Sequence, residues 1–95
     1  MKLILFGKPG CHLCEGLQEK LEQVSSIPLQ IDIRDITTRD DWFQAYQYEI
    51  PVLVWEKETE DAAIAYIPLP RLSPRASVNQ VEQMLQKYWA ENSQQ

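Results

Sequence analysis

Leu3-Ile4-Leu5-Phe6-Gly7-Lys8-Pro9-Gly10-Cys11-His12-Leu13-Cys14 is the stretch on which the reading of this chain turns. Its first four residues are an unbroken apolar run, which predicts a strand covered on both faces. Lys8-Pro9-Gly10 predicts a turn. Cys11 and Cys14, the only two cysteines in 95 residues, then stand at the start of the helix that follows. Residues i and i+3 are neighbours on a helix surface. Bridgeable cysteines need Cα atoms roughly 4.4–6.8 Å apart, so the pair is placed to exchange a dithiol for a disulfide. The ring it closes is too small to restrain much unfolded chain, and as a structural staple it would do little. Its value is chemical. Unpaired N–H groups and the macrodipole at a helix N-terminus favour negative charge, and the thiolate they favour is the reactive form of cysteine.

Outward from this stretch the pattern is regular. Leu13, Leu17, Leu21 and Val24 recur at helical spacing, and Ser25-Ser26 ends that helix. Leu29, Ile31 and Ile33 alternate with Gln30, Asp32 and Arg34, a period-2 strand. Thr38-Arg39-Asp40-Asp41 opens a second helix carrying Trp42, Phe43 and Tyr46, read as core residues. Pro51 precedes Val52-Leu53-Val54-Trp55, again continuously apolar. Glu56 to Asp61 reads as an acidic hairpin turn and Ala62 to Ile67 as a last strand. Pro68, Pro70 and Pro74 punctuate a loop. Ser77 and Gln80 match a capping box, ahead of a C-terminal helix with Val78, Val81, Met84, Leu85, Tyr88 and Trp89 on its apolar stripe.

The order is therefore β-α-β-α-β-β-α. Strands that are apolar throughout belong in the middle of a sheet, so residues 3–6 and 52–55 are central, with 29–34 and 62–67 at the edges. A helical crossover makes the first two strands parallel, and a short turn makes the last two antiparallel. The expected fold is α/β, a four-stranded mixed sheet in order 2-1-3-4 covered by three helices.

Length predicts one domain over residues 1–95, with 92–95 as a loose tail. A hydrophobic share of 44% excludes disorder. A net charge of −5 and a pI near 4.7 argue against nucleic acid or an anionic membrane as partner. The sequence has no apolar span of membrane length and no targeting pattern at its start, so the expectation is a cytoplasmic monomer. In that compartment a CxxC is more often catalytic or metal-binding than a permanent disulfide. A structural zinc site wants about four ligands, and the chain offers one cysteine pair and one histidine, His12, so no metal site is expected. An iron–sulfur cluster would need a second subunit or external thiols. Two buried cysteines spaced this way by chance remain the plain alternative.

A strand, then CxxC opening the first helix, then Ile50-Pro51 ahead of the third strand resembles the thioredoxin fold in its minimal form. The likeness is greatest to glutaredoxins and glutaredoxin-like proteins, through Lys8-Pro9-Gly10-Cys11-His12-Leu13-Cys14 and Tyr48-Glu49-Ile50-Pro51-Val52-Leu53. The resemblance implies a thiol–disulfide oxidoreductase. Cys11 would be the exposed nucleophile and Cys14 the thiol that resolves the mixed disulfide. Pro51 would be cis, leaving the backbone of Ile50 to pair with an extended substrate. Lys8 would hold a carboxylate of glutathione, or else be a solvated charge. His12 would stabilise the Cys11 thiolate or shuttle protons, or else be an exposed first-turn residue. No metal and no tightly bound cofactor is implied. The partners would be disulfide-bearing proteins or small thiols, with glutathione or a thioredoxin-type reductase as electron donor.

Two departures from the glutaredoxin pattern stand out. Glutaredoxins follow the fourth strand with a Gly-Gly turn and an acidic residue that receive the γ-glutamyl end of glutathione. Here the stretch is Ile67-Pro68-Leu69-Pro70-Arg71-Leu72-Ser73-Pro74, and Glu49 stands where threonine is common. Weak use of glutathione is the expectation. A thioredoxin-fold binding or redox-sensing module without turnover is the alternative.

Overall fold

Lys2–Gly7 form the first strand, β1, and nearly all of it is sealed from solvent. The computed structural model describes residues 1–93. After β1 come helix α1 (His12–Glu22), strand β2 (Gln30–Asp35), one turn of 3₁₀-helix (Ile36–Thr38) and helix α2 (Asp40–Tyr46). Strands β3 (Val52–Glu58) and β4 (Ile64–Pro68) and helix α3 (Val78–Ser93) complete it. The sheet order is β2-β1-β3-β4. β1 runs parallel to β2 and antiparallel to β3, and β3 is antiparallel to β4. The expected α/β fold and strand order are those observed.

The alternation along β1 divides the core. Leu3 and Leu5 point to one face, where Leu21 of α1 and Val81 and Leu85 of α3 bury against them together with Trp55. Ile4 and Phe6 point to the other, against Ile36 and Val54, with Trp42, Phe43 and Tyr46 of α2 packed around them. Apolar residues are needed at all four positions from Leu3 to Phe6 because each face carries a helix layer.

Several boundaries differ from the sequence reading. Leu13 is 47% exposed and is not part of the buried stripe. It belongs to the first turn of α1, beyond the end of β1. α1 stops at Glu22, and Val24 reaches the core from the turn beyond it. β3 runs on to Glu58, so the hairpin turn is shorter than the acidic segment suggested, with the Thr59 N–H donating to the Ala63 carbonyl at 2.8 Å. α3 runs on to Ser93, into the stretch read as a tail, while residues 94–95 lie outside the described residues.

The capping box forms as read. The Ser77 N–H donates to Gln80 Oε1 at 2.8 Å, and the Gln80 N–H donates to Ser77 Oγ at 3.1 Å. One turn later, Glu82 Oε2 accepts from the N–H of Ser25 and of Ser26 and from Ser26 Oγ, the last at 2.6 Å. These bonds tie α3 to the loop between α1 and β2. The Ser26 hydroxyl, followed by its N–H, holds the Glu82 carboxyl below its ordinary value.

Candidate redox site at the start of helix α1

β1 delivers the chain to the site and Gly10 turns it. Gly10 has φ +79°, a left-handed conformation that glycine adopts without steric cost. The Lys8 carbonyl accepts the Cys11 N–H at 3.3 Å, closing the turn. Cys11 is the N-cap of α1, with extended backbone, and its Sγ accepts the Cys14 N–H at 3.2 Å. Thus a sulfur fills the place usually taken by a serine or aspartate oxygen. Cys11 and Cys14 are joined as a disulfide, with Cα atoms 5.3 Å apart. Cys11 is half-buried, whereas Cys14 is 7% exposed and lies directly beside Gly7.

The other residues singled out by sequence fall around this pair unequally. The Ile50–Pro51 peptide is cis, and Pro51 lies in the groove described below. The N–H groups of Glu49 and Ile50 both donate to the Tyr46 carbonyl, at 2.8 and 3.1 Å. The Ile50 N–H, which the resemblance left to a substrate, is therefore engaged within the protein, while no hydrogen bond to the Ile50 carbonyl is found among the described residues. The His12 side chain is 93% exposed, with Nδ1 3.6 Å from Glu15 Oε2, so it faces the carboxylate one turn on. Lys8 is exposed and does not line the groove.

Sequence reasoning missed that groove. It has a volume of about 510 Å³ and runs along α1 between residues 49–53 and the loop 69–76, with α3 behind. Leu13, Leu17, Pro51, Leu72 and Met84 make its lining largely apolar. Its two basic residues are engaged on main-chain carbonyls. Lys20 Nζ donates to the Pro74 carbonyl at 2.8 Å, and Arg71 Nη1 to the Glu49 carbonyl at 2.7 Å. They pin the proline-rich loop to α1 on one side and to the segment before Pro51 on the other. Gly16 also lines the groove, and a Cβ built there would meet nothing within 4 Å. Glycine inside a helix is about 1 kcal/mol less favourable than alanine, and the fold gives no steric reason for one here. The proline spacing and interleaved leucines of residues 68–74 were the available signal, but no periodicity says what such a loop covers.

Two solved structures share the fold. Thioredoxin 1 from the thermophilic eubacterium Thermosipho africanus TCF52B superposes with a TM-score of 0.63 at 14% identity, over 99% of this chain and 100% of that one. A structural genomics target protein from X. campestris, XcR50, superposes with a TM-score of 0.57 at 20% identity, over 90% of this chain and 96% of that one. No curated protein matches the sequence. Residues 2–86 match the model of the family described as Glutaredoxin-like domain (DUF836). With its four-stranded sheet and its Cys11–Cys14 disulfide at the head of α1, the chain belongs to that glutaredoxin-like family of thioredoxin-fold proteins.

Proposed function

We propose that this protein is a thiol–disulfide oxidoreductase in which Cys11 attacks and Cys14 resolves. The observation that carries the reading is Cys11 Sγ at the N-cap, accepting the Cys14 N–H at 3.2 Å, with Cys14 buried behind it. An anionic sulfur there gains a charge-assisted hydrogen bond and the field of the helix N-terminus. In the reduced protein, the Cys11 thiolate attacks one sulfur of a substrate disulfide. The substrate S–S bond breaks, and the departing thiolate takes up a proton. Cys14, deprotonated, then attacks Cys11 Sγ, closing the 11–14 bond and releasing the second substrate thiol. The substrate gains two electrons, and a dithiol or two monothiols must return two to the protein. Glutathione or a thioredoxin-type reductase would serve, in a reducing compartment such as the cytoplasm.

Glutathione use is weak in this reading. Pro68 and Pro70 lack backbone donors, no carboxylate stands in residues 67–74, and Arg71 and Lys20 are held on carbonyls. Loss of one or two charge-assisted hydrogen bonds, at ~1.5–3 kcal/mol each, weakens binding at least about tenfold. Lys8 and His12 remain the candidates for contact with an anionic end, and Ile50 and Pro51 for the substrate main chain.

Alkylation against pH tests the assignment. Cys11 should label faster than Cys14 and remain reactive to lower pH. Cys11→Ser should abolish exchange, while Cys14→Ser should strand substrate as a mixed disulfide on Cys11. A glutathione-coupled assay, run beside a glutaredoxin with the Gly-Gly turn, should show the slower rate here. Faster labelling of Cys14, or exchange by Cys11→Ser, would contradict the roles given. An absence of turnover with every disulfide would leave a redox-sensing module.

A further inference from the structure

We propose that two copies of this chain pair antiparallel along the free edge of β4, making a symmetric dimer with one continuous sheet in place of the monomer expected from the sequence. The proposal is independent of the redox reading. β4 has only β3 beside it. The Thr59 N–H donates to the Ala63 carbonyl and the Leu69 N–H to the Leu53 carbonyl, at 2.8 and 3.0 Å. In this ladder Ala65 stands opposite Lys57 and Ile67 opposite Trp55, so the odd-numbered residues of β4 turn their backbone groups to β3. The N–H and carbonyl groups of Ile64 and Tyr66 point outward, and among the described residues they have no backbone partner. Pro68 has the same phase, and its missing N–H is tolerated on an open edge. Edge strands are usually blunted by charge, and β2 follows that rule with Asp32, Arg34 and Asp35. β4 does not. No charge stands from Ala62 to Pro70, and Ile64 and Tyr66 are 54% and 58% exposed. They share the sheet face of Val54 but stand outside the cluster that α2 covers. On the opposite face Trp89, 40% exposed, lines a hollow with Ala65 and Ile67.

Charge selects a second copy as the occupant. Glu58, Glu60 and Asp61 lead into the strand, Arg71 and Arg75 follow it, and no acid stands between Asp61 and Glu82. Arg71 keeps its charge while Nη1 donates to the Glu49 carbonyl. A strand that is acidic at one end and basic at the other complements itself when it pairs antiparallel about a twofold axis. The backbone fixes the register. Ile64 opposite Tyr66 of the second copy joins the edges through every outward N–H of both residues, with Ala65 facing Ala65 at the axis. Centring on Tyr66 would set Ile64 against Pro68, which has no donor. Centring on Ile64 would set Tyr66 against Ala62, which the hairpin turn holds at φ +60°. In the chosen register Glu60 falls opposite Pro70 of the second copy, next to its Arg71.

Interfaces under about 1,200 Å² are of the weak or transient kind, and a contact one strand wide belongs with them. Sedimentation equilibrium of the oxidised protein should therefore show a dimer forming between about 1 μM and 1 mM. Tyr66→Lys, which places a charge on each side of the axis, should weaken it at least about tenfold. Glu60→Lys with Asp61→Lys should weaken it too, although the change brings the net charge of −5 closer to zero. Cross-linking tests the register without relying on either variant. Facing residues at the axis have Cα atoms about 4.5 Å apart, within the bridgeable range of roughly 4.4–6.8 Å. In a Cys11→Ser/Cys14→Ser background treated with diamide, Ala65→Cys should give a covalent dimer. Ala63→Cys, whose two copies would lie about 13 Å apart along the strands, should not. A monomer throughout the concentration range overturns the proposal. So does a dimer that Tyr66→Lys leaves intact, which would place the interface on another surface. Equal cross-linking at the two positions removes the register, and a dimer tightened by the lysine pair removes the charge match that selected a second copy. Each of those outcomes overturns the pairing as stated.

Discussion

A Cβ built at Gly7 would stand 3.1 Å from both the Cβ and the Sγ of Cys14. Favourable carbon contacts lie near 3.5–4.0 Å, so the end of β1 is bare where the buried sulfur packs. Gly7→Ala should destabilise the reduced protein by about 1–3 kcal/mol, as overpacking does. Part of that cost should vanish when Cys14→Ala removes the sulfur. Chemical denaturation of the four reduced proteins, arranged as a double-mutant cycle, should give a coupling of at least ~0.5 kcal/mol. Strict additivity would show that strand and sulfur do not press on each other. Gly7 and Gly16 are both glycines without positive φ, yet their surroundings are opposite: one is crowded by its own protein, the other open to the groove. Nothing in the letters separates the two. The cysteines were legible because their chemistry depends on local spacing. The Arg71 bond to Glu49 was not, because it joins residues 22 apart through a loop without period.

Elements with strong apolar patterning could be read directly: β1 and the centre of β3 from their unbroken runs, and α3 from its stripe and capping box. The turn of 3₁₀-helix at Ile36–Thr38 was missed. Asp35 fixes it by accepting from the Thr37 N–H and hydroxyl at 2.9 and 2.7 Å, a local competition between side chain and backbone that no apolar pattern reports. The ends of α1 and β3 were misjudged for a related reason, since hydrophobic spacing marks a face and not a boundary. α3 offers the test at this scale. The Glu82 carboxyl titrates below its ordinary value of 4.5 in the folded protein, chiefly through the Ser26 hydroxyl. A depressed folded value stabilises the protein fully above the unfolded value, and that stabilisation is lost as pH falls through the folded one. Wild type should therefore exceed Glu82→Gln in stability at neutral pH, and the gap should close below pH 4.5. Asp35 and Asp41 are also held low, but they are present in both proteins and cancel. A gap that stays constant down the acid range would remove Glu82 from the tie between α3 and residues 25–26.

At the scale of the molecule, the strand order was legible because Leu3–Phe6 and Val52–Trp55 are unbroken apolar runs, while β2 alternates and β4 follows β3 through a short turn. The unequal weight of the two faces was not. One face carries α1 and α3 over a large buried cluster, while the other carries α2, seven residues with none buried. α2 is held chiefly by aromatic contact, Phe6 to Trp42 at 5.5 Å and Phe6 to Tyr46 at 4.7 Å between ring centroids. A short helix with few sealed contacts opens at a lower free energy than the global transition. Hydrogen exchange followed by mass spectrometry should show the α2 amides exchanging well before those of α1 and α3. Uniform protection on both faces would refute a two-speed molecule. The Tyr46 carbonyl, at the C-terminal end of α2, is also what holds the N–H groups of Glu49 and Ile50. Those two amides should then exchange in step with α2 and not with β3. Each brief fraying of that helix end uncovers the Ile50 N–H, and for that interval the segment before Pro51 can pair with an incoming strand through donor and acceptor together.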